Sequence, residues 1–181
     1  MSTKILLITG PVGVGKTATV AEASALLRTA DVPHAVVDFD WLQGYYPRDA
    51  DDPWGTRVGM QNLAALWRNY SERGIQRLLI ARVIESSADL DEYRAAIPDC
   101  EIVVVRLRAQ PTTLQERIRG RDHGSGRQWH LERAVVLARQ MDDSPVGDHV
   151  VETEGRGLGE VAAEVLRRAG WLTDREEHRT P

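Results

Sequence analysis

The sequence predicts an α/β domain in which a parallel sheet is covered by helices on both faces. Two observations support this prediction. Short apolar runs typical of buried strands alternate along the chain with segments whose apolar residues recur at helical spacing. The length of 181 residues suits one domain with a substantial core, which we place at residues 1–171.

Five segments are predicted to form the strands. Residues 4–9 are a continuous apolar run, as expected for a strand buried on both faces. The other four strands are expected at residues 34–39, at 77–81 with 84 as an alternative end, at 101–107 and at 149–151.

Between these strands the apolar residues follow the period of a helix. Three stripes are Met60, Leu63, Trp67 and Tyr70; Leu90, Tyr93 and Ile97; and Leu131, Val135, Ala138 and Met141. A further helix is expected at residues 111–121, opened by Pro111, and the last one at residues 158–169, before Gly170. We expect residues 172–181, which are polar, to form a flexible tail.

The most informative segment runs Gly10-Pro11-Val12-Gly13-Val14-Gly15-Lys16-Thr17 and fits the pattern GxxxxGK[ST] directly after the first strand. Its glycines let the backbone turn tightly and bring N–H groups to phosphate oxygens. Lys16 is expected to reach the β and γ phosphates and Thr17 to bind Mg²⁺, at the positive end of the helix that follows. The alternative is a glycine-rich turn that binds nothing, although such a motif arises by chance in only about one chain in a hundred.

Acidic residues follow two of the predicted strands. Asp38 and Asp40 end the second strand, where one carboxylate could help hold Mg²⁺ and the other accept a proton from an attacking hydroxyl. The alternative is a helix N-cap or a solvated turn. Glu85, after the third strand, is either an acidic partner of Mg²⁺ or an ordinary residue in a first helical turn, and the sequence favours neither.

A basic segment follows the fourth strand. Arg117 and Arg121 lie four residues apart on one helix face and could neutralise the charge of a transferring phosphoryl group. Arg127, beyond a glycine-rich loop, is a weaker third candidate. The alternative is a solvated basic face whose arginines pair with Glu116 or Asp122.

Aromatic residues cluster in the irregular segment after Asp40, which we call the acceptor-side segment and place at about residues 41–60. Its four aromatic side chains could form an apolar wall around an acceptor molecule, or could pin the segment to the body of the domain: Trp41, Tyr45, Tyr46 and Trp54. Trp67 and Trp171 are expected to pack in the core. His123 and His130 have no partner at metal-ligand spacing.

Composition excludes several other classes. The net charge of −4 and the pI near 5.7, with basic residues concentrated only around residues 117–133, argue against a nucleic-acid surface. The sequence shows no signal peptide and no membrane-spanning run, so we expect a cytoplasmic protein. The single cysteine, Cys100, excludes a disulfide framework and is expected to be a buried thiol.

Four of these features together resemble the small P-loop kinases of the nucleoside monophosphate, shikimate and adenylylsulfate kinase group. They are the GPVGVGKT segment, the Asp-x-Asp pair, the ERIRGR segment and the glycine loop Glu154-Gly155-Arg156-Gly157 before the last helix. The resemblance implies a P-loop NTPase three-layer sandwich, with a five-stranded parallel sheet in the order 2-3-1-4-5. It also implies a short helical lid, at about residues 117–130, that closes over ATP.

The resemblance also implies roles for single residues. Arg117 would stack on adenine, Arg121 would contact phosphate, Asp38 would lie near Mg²⁺, and Asp40 would contact the substrate. By similarity to the chloramphenicol phosphotransferase-like enzymes, Asp40 is preferred over Asp38 as the base. The segment after the third strand lacks the Asp-Gly-Phe-Pro-Arg spelling of adenylate kinases and the glycine pair of shikimate kinases, so AMP and shikimate are not expected acceptors.

Taken together, these features predict an ATP- and Mg²⁺-dependent kinase that phosphorylates a hydroxyl of a small molecule, such as a nucleoside, a sugar or a natural product, with an antibiotic as one candidate. The expected nucleotide contacts are residues 10–17 together with Thr19, Arg117 and Arg121, and the expected acceptor contacts are Asp40, Trp41, Tyr45, Arg82 and Arg127. The expected catalytic residues are Lys16, Asp38, Asp40 and Arg121. The rival hypothesis is a nucleotide-gated binding module with little phosphoryl transfer. Either a monomer or a homodimer fits the sequence.

Overall fold

The computed structural model describes residues 2–172, and within them five strands form one parallel sheet. The strands are β1 (Thr3–Thr9), β2 (Ala35–Asp38), β3 (Arg77–Ala81), β4 (Cys100–Arg108) and β5 (His149–Glu152). They pair in the order β2-β3-β1-β4-β5, with every pairing parallel. This confirms the fold class and the strand order implied by the family resemblance.

Seven helices connect and cover the strands of the described part of the chain. They are α1 (Lys16–Thr29), α2 (Phe39–Leu42), α3 (Thr56–Ser71), α4 (Asp89–Ala96), α5 (Pro111–Arg121), α6 (Arg127–Asp143) and α7 (Leu158–Arg168). Among residues 2–172, no helix is both long enough and apolar enough to cross a bilayer.

Alternation along the central strand divides the core into two layers. Leu6 and Ile8 of β1 point to the layer that contains the apolar side chains of α1, α5, α6 and α7. Ile5 and Leu7 point to the opposite layer, which contains those of α3 and α4. Burial on both faces explains why β1 is a continuous apolar run rather than an alternating one.

Two of the differences from the predicted bounds have the same cause, a carboxylate that caps a helix. Strand β2 ends at Asp38 rather than Phe39, since Oδ1 of Asp38 accepts the backbone N–H of Asp40 at 3.2 Å and starts α2. Helix α3 begins at Thr56, inside the segment predicted to be irregular, because the buried Asp52 carboxylate accepts the backbone N–H groups of Thr56 and Arg57.

The last described residues belong to the core. Trp171 and Leu172 are 7% and 5% exposed and pack in the layer of α1 and α7. The structure thus confirms the core position of Trp171 and corrects the predicted start of the tail, since Leu172 is anchored. Residues 173–181, the rest of the predicted tail, lie outside the described residues.

Candidate nucleotide and acceptor site

The glycine-rich loop connects β1 to α1 and has a backbone shape that requires its glycines. Gly10 has φ +141°, and a Cβ there would lie 2.5 Å from the carbonyl oxygen of Leu107 in β4. Gly15, with φ +104°, is different, because a Cβ there would meet no atom within 4 Å. The space above Gly15 at the start of α1 is therefore open, which is the arrangement that an anion at a helix N-terminus needs.

Lys16 lies folded over this loop. Its Nζ donates hydrogen bonds to the carbonyl oxygens of Gly10 at 2.9 Å and Pro11 at 3.1 Å. Burial lowers the pKa of Lys16 to about 8, an effect opposed by the carboxylates of Asp40 and Asp38 and reinforced by the guanidinium of Arg121. The fold thus brings Asp38, Asp40 and Arg121, which were predicted to have different roles, close enough to affect the charge of Lys16.

Thr17 and Asp38 form the contact that is best suited to a metal ion. The Thr17 hydroxyl donates a 2.8 Å hydrogen bond to Oδ2 of Asp38, across the gap between α1 and the end of β2. Hydroxyl and carboxylate oxygens are the donor set that Mg²⁺ prefers. No group of three or more His, Cys, Asp or Glu side chains in residues 2–172 could hold a metal alone. The pair therefore fits a Mg²⁺ ion that takes its remaining ligands from phosphate and water.

The two interpretations of Asp38 from the sequence, a helix N-cap and a metal ligand, are compatible with each other. Its Oδ1 caps α2 while its Oδ2 accepts the hydrogen bond from Thr17. Capping fixes the carboxylate at the edge of the loop, so the structural role positions the residue for the proposed metal role. The prediction that Asp38 and Asp40 together end the second strand is wrong for Asp40, which lies in the first turn of α2.

Asp40 is exposed in the first turn of α2. Its side chain is 73% exposed, and Oδ1 lies 3.5 Å from Nη1 of Arg82, the residue that directly follows β3. Two contacts position Arg82. Its guanidinium lies 4.4 Å from the centroid of the buried Phe39 ring and donates a hydrogen bond to Oε1 of Gln43 at 2.5 Å. The structure thus offers an accessible carboxylate beside a fixed positive charge.

Arg117, on α5, is tied to the nucleotide side of the loop. It donates hydrogen bonds to the carbonyl oxygen of Val14 at 3.2 Å and to the hydroxyl and carbonyl oxygens of Thr153 at 2.9 and 3.1 Å. Thr153 lies directly after β5, at the start of the glycine loop Glu154-Gly155-Arg156-Gly157. The position between these two loops suits the base of a nucleotide, although its stacking role stays a prediction.

Arg121, at the end of the same helix, pairs with its neighbour. Its Nε lies 2.6 Å from Oδ1 of Asp122, and Nδ1 of His130 lies 2.6 Å from Oδ2 of that carboxylate. The hydrogen bond from Arg121, with a smaller contribution from His130, lowers the pKa of Asp122 to about 2. The salt-bridge alternative considered for the basic segment is therefore observed for Arg121. The charge of Arg121 also contributes to the lowered pKa of Lys16.

Three predicted residues have surroundings that the sequence did not indicate. Glu85 precedes α4 and forms an ion pair with Arg133 of α6, so it is not a residue of a first helical turn, and its metal role stays an open alternative. Thr19 is 1% exposed in α1, and we therefore leave it out of the proposed nucleotide contacts. Arg127 is the exposed first residue of α6.

The aromatic residues of the acceptor-side segment are largely open to solvent. Trp41 and Tyr46 are 84% and 94% exposed, so they do not pin the segment to the domain. Trp54 lies against Trp129 of α6, with ring centroids 6.1 Å apart. Sequence reasoning missed Trp129 and Arg133, because nothing in the spacing of α6 indicates which of its residues meet distant loops.

The sequence matches no protein-family model and no curated protein, whereas the fold is similar to that of solved kinases. A gluconokinase from Sinorhizobium meliloti 1021 is 18% identical, with 98% of each chain covered and a TM-score of 0.61. The Deinococcus radiodurans tunicamycin resistance protein is 18% identical, with 94% of this chain and 97% of that chain covered and a TM-score of 0.64. The Mycobacterium tuberculosis APS kinase in complex with AMPPNP and APS is 18% identical, with 93% and 98% covered and a TM-score of 0.59. The chain therefore has the fold of the small P-loop kinases.

Proposed function

We propose that this protein is an ATP- and Mg²⁺-dependent phosphotransferase that moves the γ-phosphoryl group to a hydroxyl of a small molecule. The observation that carries the proposal is the convergence of Lys16, the Thr17–Asp38 pair and the exposed Asp40–Arg82 pair at one end of the sheet. Ligands of open α/β sheets bind at the carboxyl ends of the strands, where these residues lie.

The nucleotide is assigned to the glycine-rich loop. The open space above Gly15 would receive the phosphates, and the Lys16 ammonium would move from its carbonyl partners to phosphate oxygens. Thr17 and Asp38 would hold Mg²⁺, which when bound neutralises phosphate charge and orients the transferring group. The base would lie near Arg117, between the loop and the connection from β5 to α7.

The acceptor hydroxyl is assigned to the side of Asp40. An exposed carboxylate can take the proton of an attacking hydroxyl, and the adjacent guanidinium of Arg82, 3.5 Å away, orients that carboxylate. Arg121 is the residue best placed to stabilise the transferring charge from the lid, after exchanging Asp122 for a phosphoryl oxygen. Chemically, the acceptor oxygen bonds to the γ phosphorus, the bond to the bridging oxygen of ADP breaks, and the proton goes to Asp40.

The structural neighbours support this class of reaction. They include a gluconokinase, an APS kinase and a shikimate kinase, which differ in acceptor but share the fold. The aromatic acceptor-side segment suits a bulkier or partly apolar alcohol, such as a nucleoside, a sugar or a natural product, among which an antibiotic is one candidate.

The rival function is a nucleotide-gated binding module that transfers little or no phosphate. It needs the glycine-rich loop but has no use for an exposed carboxylate beside a fixed guanidinium. The test is ADP release from MgATP with and without a panel of alcohols, with Lys16→Ala as the inactive reference. Stimulation by one acceptor, with a matching phosphorylated product by mass spectrometry, supports the kinase. A response that is flat across acceptors, together with saturable nucleotide binding, supports the module.

A further inference from the structure

The acceptor-side segment and the lid each contribute one exposed tryptophan to the same place. Trp54 lies just before α3, and Trp129 lies in the first turn of α6. Their ring centroids are 6.1 Å apart with an interplanar angle of 35°. Although the rings lie next to each other, Trp54 and Trp129 remain 62% and 47% exposed, so a large part of each side chain is free to contact a ligand.

Polar contacts hold the backbone of Trp54 and the ring that lies next to Trp129. The backbone carbonyl of Trp54 accepts a 2.9 Å hydrogen bond from Arg48, whose guanidinium lies 4.8 Å from the centre of the Tyr45 ring. The Trp129 ring meets the edge of His130 at a centroid distance of 5.2 Å, and His130 is fixed by Asp122 at 2.6 Å. Preorganised aromatic surface of this kind binds a flat ligand with little loss of conformational freedom.

Both tryptophans are connected to the proposed reaction centre. Two residues after Trp54, the Thr56 hydroxyl lies 3.5 Å from Arg82, the partner of Asp40. On the lid side, His130, the neighbour of Trp129, contacts Asp122, and the same carboxylate forms an ion pair with Arg121. One turn along α6 from Trp129, Arg133 pairs with Glu85 after β3, which docks this part of the helix beside the strand ends.

We propose that Trp54 and Trp129 form an aromatic subsite that binds a flat, unsaturated ring of the acceptor, and that the acceptor is therefore an alcohol bearing such a ring. This inference rests on the proposed function, because it assumes that the Asp40 side of the site receives the acceptor. It narrows the acceptor class from bulky or apolar alcohols to those with an aromatic or heteroaromatic group.

Binding measurements on matched alcohols test the subsite without relying on turnover. We would use phenyl and methyl β-D-glucopyranoside, and phenyl and methyl β-D-ribofuranoside, and measure ligand-detected NMR titrations in the presence of Mg²⁺ and AMPPNP. In the unmodified protein, at least one phenyl compound should bind about tenfold more tightly than its methyl partner, the effect expected of one or two good ring contacts.

Variants then locate the effect. Trp54→Ala and Trp129→Ala should each reduce that phenyl preference by about 3- to 10-fold. Val136→Ala is the matched control, because Val136 lies on α6 and is 46% exposed, close to the 47% of Trp129. It should leave the preference unchanged. All three side chains are exposed, so the variants are expected to fold, which circular dichroism would verify.

The outcomes separate this subsite from the proposed function. If no phenyl compound binds better than its methyl partner, or if both tryptophan variants behave like Val136→Ala, the subsite is wrong whether or not the protein is a kinase. If the preference depends on both tryptophans but no alcohol stimulates ADP release, the subsite stands and the phosphotransferase proposal fails.

Discussion

The hydroxyl of Thr17 donates a 2.8 Å hydrogen bond to Oδ2 of Asp38, which joins the start of α1 to the end of β2. The two residues lie 21 positions apart in the chain. The contact therefore forms only when the sheet is assembled. Because both oxygens belong to the class that binds Mg²⁺, this contact is the structural basis of the proposed metal site.

We expect Thr17→Ala and Asp38→Ala to weaken the Mg²⁺-dependent part of nucleotide binding by about 10- to 100-fold, since each removes an oxygen that orients the ion. Calorimetric titration with AMPPNP, with Mg²⁺ and with EDTA, measures this part. Thr29→Ala is the matched control, because Thr29 lies at the other end of α1, where its exposed hydroxyl donates a hydrogen bond to the carbonyl oxygen of Ala25. An unchanged Mg²⁺ effect in both site variants would contradict the assignment.

Asp40→Asn is expected to lower kcat for acceptor phosphorylation by about 100-fold or more, because the amide cannot take the proton of the hydroxyl. The KM for MgATP should change little, since Asp40 faces the acceptor side. Steady-state kinetics with the best acceptor give both values. Asp91→Asn provides an exposed control on α4. If Asp40→Asn retained the turnover of the unmodified protein, Asp40 would not be the base.

The pKa of Lys16 near 8 predicts that nucleotide binding weakens as the pH rises. Only the protonated ammonium attracts phosphate, so the fraction of free protein able to bind falls by about tenfold between pH 7 and pH 9 if the bound state keeps its proton. Calorimetry across this range measures the loss, and Lys16→Met should be flat. The sequence contains one other lysine, Lys4, so NMR of labelled lysines can follow the Lys16 titration directly. A Lys16 pKa above 10 would refute the explanation.

Asp122 is expected to contribute to stability in a defined pH range. Its pKa is about 2 in the folded protein, below the usual value of 3.8, because it accepts hydrogen bonds from Arg121 and His130. A carboxyl with a depressed folded pKa stabilises the fold above its unfolded pKa and loses that contribution as the pH falls toward the folded value. The difference in Tm between the unmodified protein and Asp122→Asn should therefore shrink between pH 5 and pH 2. A difference that stays constant over this range would argue against the pairing.

Local sequence patterns are sufficient to predict an α/β domain with a parallel sheet, because they depend on which residues are buried. The run at β1 is apolar on both sides, and the structure confirms that Leu6 and Leu7 point into opposite core layers. The predicted bounds of β3 and α5 agree with the structure, since a buried strand and a proline-initiated helix are defined by residues close to them in sequence. The strand order came from the family resemblance rather than from these patterns.

The parts of the site that the sequence could not predict depend on contacts between distant segments. The sequence identified the glycine-rich loop, Asp38 and Arg121, but it gave no reason to pair Glu85 with Arg133 or Trp54 with Trp129. Those pairs join α6 to the segment after β3 and to the segment before α3, which is a tertiary arrangement. Thr19 is among the expected nucleotide contacts, but the helical period of α1 points its side chain into the core, where it is buried.

The central claim is that the loop from Gly10 to Thr17 binds the phosphates of a nucleotide, and calorimetric titration of the folded protein with Mg²⁺ and AMPPNP tests it most directly. We predict saturable binding at one site, weakened about 10- to 100-fold in Lys16→Ala through loss of a charged hydrogen-bond donor and unchanged in Lys4→Ala. Absence of heat and of saturation in a protein whose circular dichroism shows an intact fold would contradict the claim.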